Sequence, residues 1–135
     1  MKRIAVIDAQ GGGIGKQIIT EIRKRELYVE IIALGANSIA TGQMVKAGAD
    51  HGATGENPVR VMCPQMDVII GPVGIAIADS MFGEITGDMA AAVGGSRAKK
   101  ILIPVNMCSI HVVGIEDLNL KRLISEAVDV LQSEL

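Results

Sequence analysis

The chain has 135 residues, of which 49% are hydrophobic and 21% charged, and its formal net charge is -2 at pH 7. This length is typical of one domain with its own core, and the charge gives no general attraction to nucleic acids or anionic membranes. Tyr28 and Phe82 are the only aromatic residues, which are too few for a protein that stacks on single-stranded bases.

The sequence also lacks the patterns of membrane and metal proteins. No apolar run approaches the ~20 residues of a membrane span, and Ile4–Ile7 ends at Asp8, which is too early for a signal peptide. Cys63 and Cys108 are too far apart for a metal-ligand motif and are expected to be buried thiols. We therefore predict a cytoplasmic protein without a metal site.

The first half of the chain alternates β-branched apolar runs with amphipathic segments. In chain order, the predicted elements are strand Arg3–Ile7, a helix with Ile14, Ile18, Ile19 and Ile22 on one face, strand Tyr28–Leu34, a helix from a cap at Asn37 or Ser38 to Lys46, and a short edge strand at Ala49–Ala53.

The second half continues the alternation. It begins with a helix capped by Asn57 that ends by Cys63 and with strand Asp67–Gly71. The next segment, Val73–Gly83, fits either a strand or a buried helix. The remaining predicted elements are a helix from Thr86 to about Val93, strand Lys100–Val105, strand Ile110–Val113, and a helix from about Leu118 to Leu131. The gap after Val105 is too short for a parallel crossover, so the last two strands are predicted to be antiparallel.

This alternation predicts one Rossmann-like domain over residues 1–135. The fold class is α/β, with a three-layer, doubly wound and mostly parallel sheet of order about 3-2-1-4-5 and an antiparallel edge strand. Such a sheet binds ligands at the carboxyl ends of its strands, where the strand order reverses. The predicted crevice lies between strands one and four.

A glycine-rich loop, Asp8–Lys16, joins the first strand to the first helix at this crevice. Glycines let the backbone approach a phosphate, and the helix N-terminus adds a positive partial charge. We therefore predict a nucleotide or dinucleotide ligand. The expected cofactor-binding residues lie in this loop and at neighbouring strand ends: Gln10, Gly11, Gly12, Gly13, Ile14, Gly15, Lys16, Gly35, Asn37, Ser38, Thr54, Gly71 and Pro72.

The loop departs from each standard phosphate motif. Lys16 replaces the last glycine of Gly-x-Gly-x-x-Gly, and Ala9 replaces the first glycine of a short-chain dehydrogenase loop. Gln17 lacks the hydroxyl with which a P-loop holds magnesium, and no acid follows Leu34 to bind a ribose. An NAD(P)-type cofactor is the leading expectation and another nucleotide remains open. The alternative is that the glycines only permit close packing.

Catalytic machinery is not evident. Tyr28 is not part of a Tyr-x-x-x-Lys pair, and His51 and His111 lack companion ligands. The candidate catalytic residues are polar groups near predicted strand ends and in the uncertain insert: Asp8, Glu56, Glu84 and Asn106. Asp8 either faces the crevice or braces the loop through backbone N–H groups.

Because no catalytic residues are evident, two further functions remain possible. One is a non-catalytic oligomeric or regulatory subunit, with Asp79–Glu84 as an interface or lid. The other is a small enzyme that acts on a phosphorylated metabolite. A homodimer or higher homo-oligomer is expected because a single short chain leaves little room for a complete pocket.

Several stretches together are specific for one family. The chain resembles, nearly end to end, a family of small bacterial Rossmann-like proteins known as a domain of unknown function. The stretches that carry the resemblance are Ile7–Lys16, Ala33–Asn37, Gly52–Asn57, Ile69–Pro72, Ala78–Thr86 and Ile101–Asn106. The resemblance implies a Rossmann-like fold with a candidate nucleotide site and names no reaction.

Overall fold

The structure is a computed structural model that describes residues 1–105, 110–116 and 119–135. Its elements alternate along the chain: β1 (Lys2–Asp8), α1 (Gly13–Lys24), β2 (Val29–Gly35), α2 (Ser38–Ala47), β3 (His51–Thr54), α3 (Glu56–Met62), β4 (Val68–Pro72), α4 (Gly87–Gly95), β5 (Lys99–Ile103) and α5 (Leu120–Ser133). The five strands form one sheet of order β3-β2-β1-β4-β5, which confirms the predicted order and the Rossmann-like fold class.

Every paired strand in the described residues is parallel. Parallel strands are joined by crossover connections, and the helices of these connections cover both faces of the sheet. On one face, α1, α2 and α5 bury a core that includes Ile18, Met44 and Val128. On the other face, α3 and α4 bury a second core around Val59 and Val93. The central strands are therefore apolar on both sides, which explains their continuous hydrophobic runs.

Two predicted helix caps are confirmed. The side-chain oxygen of Asn37 accepts a hydrogen bond from the Ala40 amide at 2.9 Å, and the Thr86 hydroxyl accepts one from the Met89 amide at 3.1 Å. Each cap satisfies an amide that has no partner within its helix. The capping preference of these side chains is local, so the sequence identified Thr86 and narrowed the other cap to Asn37 or Ser38.

Two local predictions were wrong, and one segment is left open by the sequence. Gly55, not Asn57, precedes α3, and Pro58 falls within the first turn, where its missing amide proton costs no helical bond. In the open segment Val73–Gly83, Val73–Ala76 is a short 3₁₀ helix with buried residues, and turns follow it to residue 84. Ile110–Val113 is not a sheet strand: Ile110 forms an isolated bridge, and a turn follows at Val113.

No helix within the described residues is both long and apolar enough to cross a membrane.

Candidate functional site

The glycine-rich loop lies at the carboxyl end of β1, between β2 and β4 in the sheet. Its turn is closed by a hydrogen bond from the Gly12 amide to the Ala9 carbonyl at 3.0 Å. Gln10 and Gly12 both adopt left-handed backbone conformations, with φ of 53° and 72°. The chain then enters α1 at Gly13, so the loop occupies the predicted switch point of the sheet.

The loop contains two kinds of glycine. Gly12 and Gly15 are buried, and neither has room for a side chain: a Cβ on Gly12 would lie 2.8 Å from the Ala40 Cα, and one on Gly15 would collide with the Met44 sulfur. These two glycines are explained by close packing of the loop and α1 on α2. They would be needed whether or not a ligand binds.

Gly11 and Gly13 differ from them in exposure and in the space available for a side chain. Both are exposed, both have φ values outside the left-handed region, and a Cβ on either would meet nothing within 4 Å. Neither backbone amide donates a hydrogen bond to any residue in the described parts of the chain. Folding therefore does not require glycine at these two positions.

Asp8 braces the loop from below. Its side chain is buried, with 3% of the residue exposed, and its two oxygens accept hydrogen bonds from the amides of Ala9 at 2.8 Å and Gly15 at 2.7 Å. Burial raises the pKa of Asp8, the backbone hydrogen bonds oppose that rise, and the nearby charge of Glu84 adds to it.

The raised pKa of Asp8 predicts a pH dependence of stability. Between the pKa of the unfolded chain and the higher pKa of the folded protein, the folded state binds more protons, so its stability falls as the pH rises. We expect the unfolding free energy of the wild type, relative to that of Asp8→Asn, to decrease through this window and then to level off. Urea unfolding of both proteins between about pH 3.5 and 8 measures this difference.

A constant difference, or one that grows with pH, would contradict the prediction. The Glu84→Gln variant provides the control, because it removes one cause of the raised pKa. In that variant the same decrease should end at a lower pH.

Glu84 ties three segments together beside the loop. Its Oε1 accepts hydrogen bonds from the Gln10 amide at 2.9 Å and from Asn37 Nδ2 at 2.7 Å. Asn37 Nδ2 also donates to the Gln10 carbonyl at 2.9 Å. The sequence has no acid directly after β2, but the fold brings the Glu84 carboxylate to this position from the turns that follow β4. These residues are far apart in the sequence, so the contact could not be predicted from it.

An open cleft of about 340 Å³ lies on the α5 side of the loop. Its lining combines the loop and the first turn of α1 with side chains from three later segments. The lining residues are Asp8, Ala9, Gln10, Gly11, Gly12, Gly13, Ile14, Gln17, Met81, Val105 and Leu120. The structure thus brings together the predicted loop residues from Gln10 to Ile14 and the candidate acid Asp8. The other lining residues, Ala9, Gln17, Met81, Val105 and Leu120, were not predicted.

Other predicted cofactor residues have structural roles outside the cleft. A Cβ on Gly35 would collide with Thr41, and one on Gly71 would collide with the carbonyl oxygen of Ile7. The Thr54 hydroxyl shares a hydrogen bond of 2.7 Å with that of Thr41. Packing and hydrogen bonding account for these three residues.

The remaining predicted binding residues lie at helix starts. Ser38 is the exposed first residue of α2. Pro72 is buried at the end of β4, directly before the 3₁₀ helix Val73–Ala76. Lys16 is exposed in the first turn of α1, and no residue of the described chain forms an ion pair with its ammonium group. Asn37 serves as the cap of α2 and as the partner of Glu84.

The candidate catalytic residues do not converge within the described chain. Asp8 lines the cleft, whereas Glu56 accepts a hydrogen bond from the Thr86 hydroxyl at 2.5 Å and Glu84 bonds Gln10 and Asn37. Asn106 lies outside the described residues. Among these three acids only Asp8 lines the cleft, and the charge of Glu84 is close enough to act on it.

Cys63, His51 and His111 do not line the cleft. Cys63 is buried without a disulfide partner, and burial raises the pKa of its thiol to about 11, which leaves it unreactive. His51 and His111 are exposed. The described residues contain no group of three metal-ligating side chains, and Cys108 lies outside them.

Comparison of the sequence with known protein families finds one match. The sequence profile of a family described as a domain of unknown function, DUF3842, matches residues 3–135. A search of curated proteins finds no match.

Proposed function

The chain belongs to the DUF3842 family, and we propose that it is a nucleotide-binding protein that holds a phosphate group at Gly11 and Gly13. The observation that carries the proposal is the pair of exposed glycines whose side-chain space is empty and whose amides have no partner in the described residues. A bound phosphate explains both features, because it needs close backbone approach and N–H donors.

The surroundings of the two glycines support a phosphate ligand. Gly13 is the first residue of α1, a helix of 12 residues whose N-terminus carries a positive partial charge. Asp8 already occupies the Gly15 amide, so the donors available to a ligand are those of Gly11 and Gly13. The exposed ammonium group of Lys16 in the same turn adds a positive charge.

The size of the cleft is compatible with a small ligand. Its volume of about 340 Å³ is near the lower end of the range for small-molecule sites, about 300–1,000 Å³. We propose a nucleotide, either a mononucleotide or the phosphate-bearing part of an NAD(P)-type cofactor. We further place the protein in the cytoplasm as a homodimer or larger homo-oligomer; light scattering that gives a monomer would contradict the oligomer.

The Gly13→Asp variant tests the proposal. Its carboxylate would occupy the empty space and repel a phosphate, while the fold is preserved because an acid is favourable at the start of a helix. Calorimetry and thermal shift with NAD(H), NADP(H), FAD, ATP and nucleotide sugars should detect binding to the wild type. The variant should lose about 100-fold or more in affinity.

Gly87→Asp is the matched control. Gly87 is also the first residue of its helix, α4, and a Cβ there also meets nothing within 4 Å. This variant should bind as the wild type does. The proposal is wrong if no nucleotide binds at millimolar concentration, or if Gly13→Asp and Gly87→Asp bind equally well.

A second candidate is a non-catalytic subunit whose interface contains Phe82. The residue is 93% exposed, and its φ of 57° lies in the left-handed region together with those of Met81 and Gly83. Backbone held in sparsely populated conformations is often found at functional sites. Under this alternative, Phe82→Ser dissociates the oligomer in light scattering, and Gly13→Asp changes no ligand affinity.

A further inference from the structure

We infer that the base of the proposed nucleotide lies in the cleft between α1 and α5, on the β5 side of the glycine loop, and that Gln17 selects it. This inference rests on the proposed function and specifies its ligand as a mononucleotide. A dinucleotide-binding sheet uses the other side of the loop as well, where the end of β2 carries the acid that binds a ribose.

The β2 side of the loop is closed by hydrogen bonds. Glu84 and Asn37 bond to each other, and both bond to the backbone of Gln10, at distances of 2.7 to 2.9 Å. A ligand that crossed this side would have to displace three hydrogen bonds, two of which involve a carboxylate and are therefore the stronger kind. The same carboxylate would repel a phosphate group that approached from there.

The α5 side of the loop contains the cleft, whose described lining has the chemistry that a base requires. Beyond the loop amides, the cleft is lined by the partly buried apolar side chains of Ile14, Met81, Val105 and Leu120. Such side chains gain free energy when a flat ring covers them and removes them from water, and the methionine sulfur makes favourable contacts with aromatic rings. The cleft therefore combines loop amides that suit a phosphate with apolar side chains that suit an aromatic ring.

Gln17 is positioned to distinguish one base from another. It follows Gly13 by one helical turn on α1, so the two residues share a face of the helix. Gln17 is exposed, lines the cleft, and its amide group forms no hydrogen bond with a described residue. An amide offers both a donor and an acceptor, which is what recognition of a base edge requires.

A pair of tryptophan substitutions locates the base. The chain has no tryptophan, and Leu120 and Ser38 are the first residues of α5 and α2, one on each side of the loop. Addition of ATP or AMP should change the fluorescence of the Leu120→Trp variant and leave that of Ser38→Trp unchanged. A change in Ser38→Trp alone, or in neither variant while ATP binds, would overturn the inference.

Substitution of Gln17 tests its selectivity. Gln17→Leu should change the ratio of ATP to GTP affinity by about tenfold while the affinity for inorganic pyrophosphate stays the same. The control is Gln43→Leu, the same exchange on α2, which should change neither. An unchanged ATP to GTP ratio in Gln17→Leu would remove Gln17 from the inference.

The outcomes also separate this inference from the proposed function. If Gly13→Asp abolishes binding of ATP and pyrophosphate but the Leu120→Trp fluorescence does not respond to ATP, the phosphate site stands and the position of the base is wrong. If Gly13→Asp has no effect on either ligand, the proposed function itself fails.

Discussion

Replacing Gly12 by alanine is expected to lower the free energy of unfolding by about 3 kcal/mol, which corresponds to a fall in Tm of roughly 10 °C. The φ of Gly12 is 72°, a conformation that costs other residues about 1–2 kcal/mol. In addition, the new Cβ would lie 2.8 Å from the Ala40 Cα and 2.9 Å from its carbonyl oxygen. These are backbone atoms, so no side-chain movement can relieve the contact.

Gly13→Ala is the control for this prediction, because Gly13 adjoins Gly12 but has an ordinary φ and open space at its Cβ. Its stability should change by no more than about 0.5 kcal/mol. Denaturant unfolding of both variants measures the contrast. Equal losses in the two variants would show that the division of the loop into packing glycines and open glycines is wrong.

Replacing Gly71 by alanine should be at least as destabilising, by about 3 kcal/mol or more. Gly71 lies in β4, and a Cβ there would collide with the carbonyl oxygen of Ile7 and lie 3.0 Å from the Ile75 Cδ1. Relief would require β1 and β4 to separate at the centre of the sheet. Denaturant unfolding and thermal melting measure the loss.

For Gly94→Ala we expect the opposite effect on stability. Gly94 lies within α4, its added Cβ meets nothing within 4 Å, and alanine favours a helix by up to about 1 kcal/mol over glycine. We expect this variant to be more stable than the wild type. If Gly71→Ala were tolerated equally well, the packing role assigned to Gly71 would be incorrect, and its predicted role in ligand binding would again need consideration.

Local patterns were sufficient for most of the fold. The β-branched runs of β1 and β2 and the 3.6-residue periodicity of α1 depend on neighbouring residues only, so their elements could be predicted within a few residues. Because a parallel crossover is nearly always right-handed, the alternation of these elements then restricts the strand order. Prediction failed at Asn57 and stayed open in Val73–Gly83, where turns and short elements compete.

The candidate site was predictable only in part, because three of its eleven lining residues come from distant segments. The sequence by itself determined a glycine-rich loop at the end of β1, with the caps and strands that hold it in place. Only the tertiary structure decided that Gly12 and Gly15 serve packing while Gly11 and Gly13 remain open. It also decided that Glu84 closes one side of the loop and that Leu120 lines the other. The physical reason is that strand and helix formation depends on local periodicity, whereas free space and long-range hydrogen bonds depend on which segments the fold brings together.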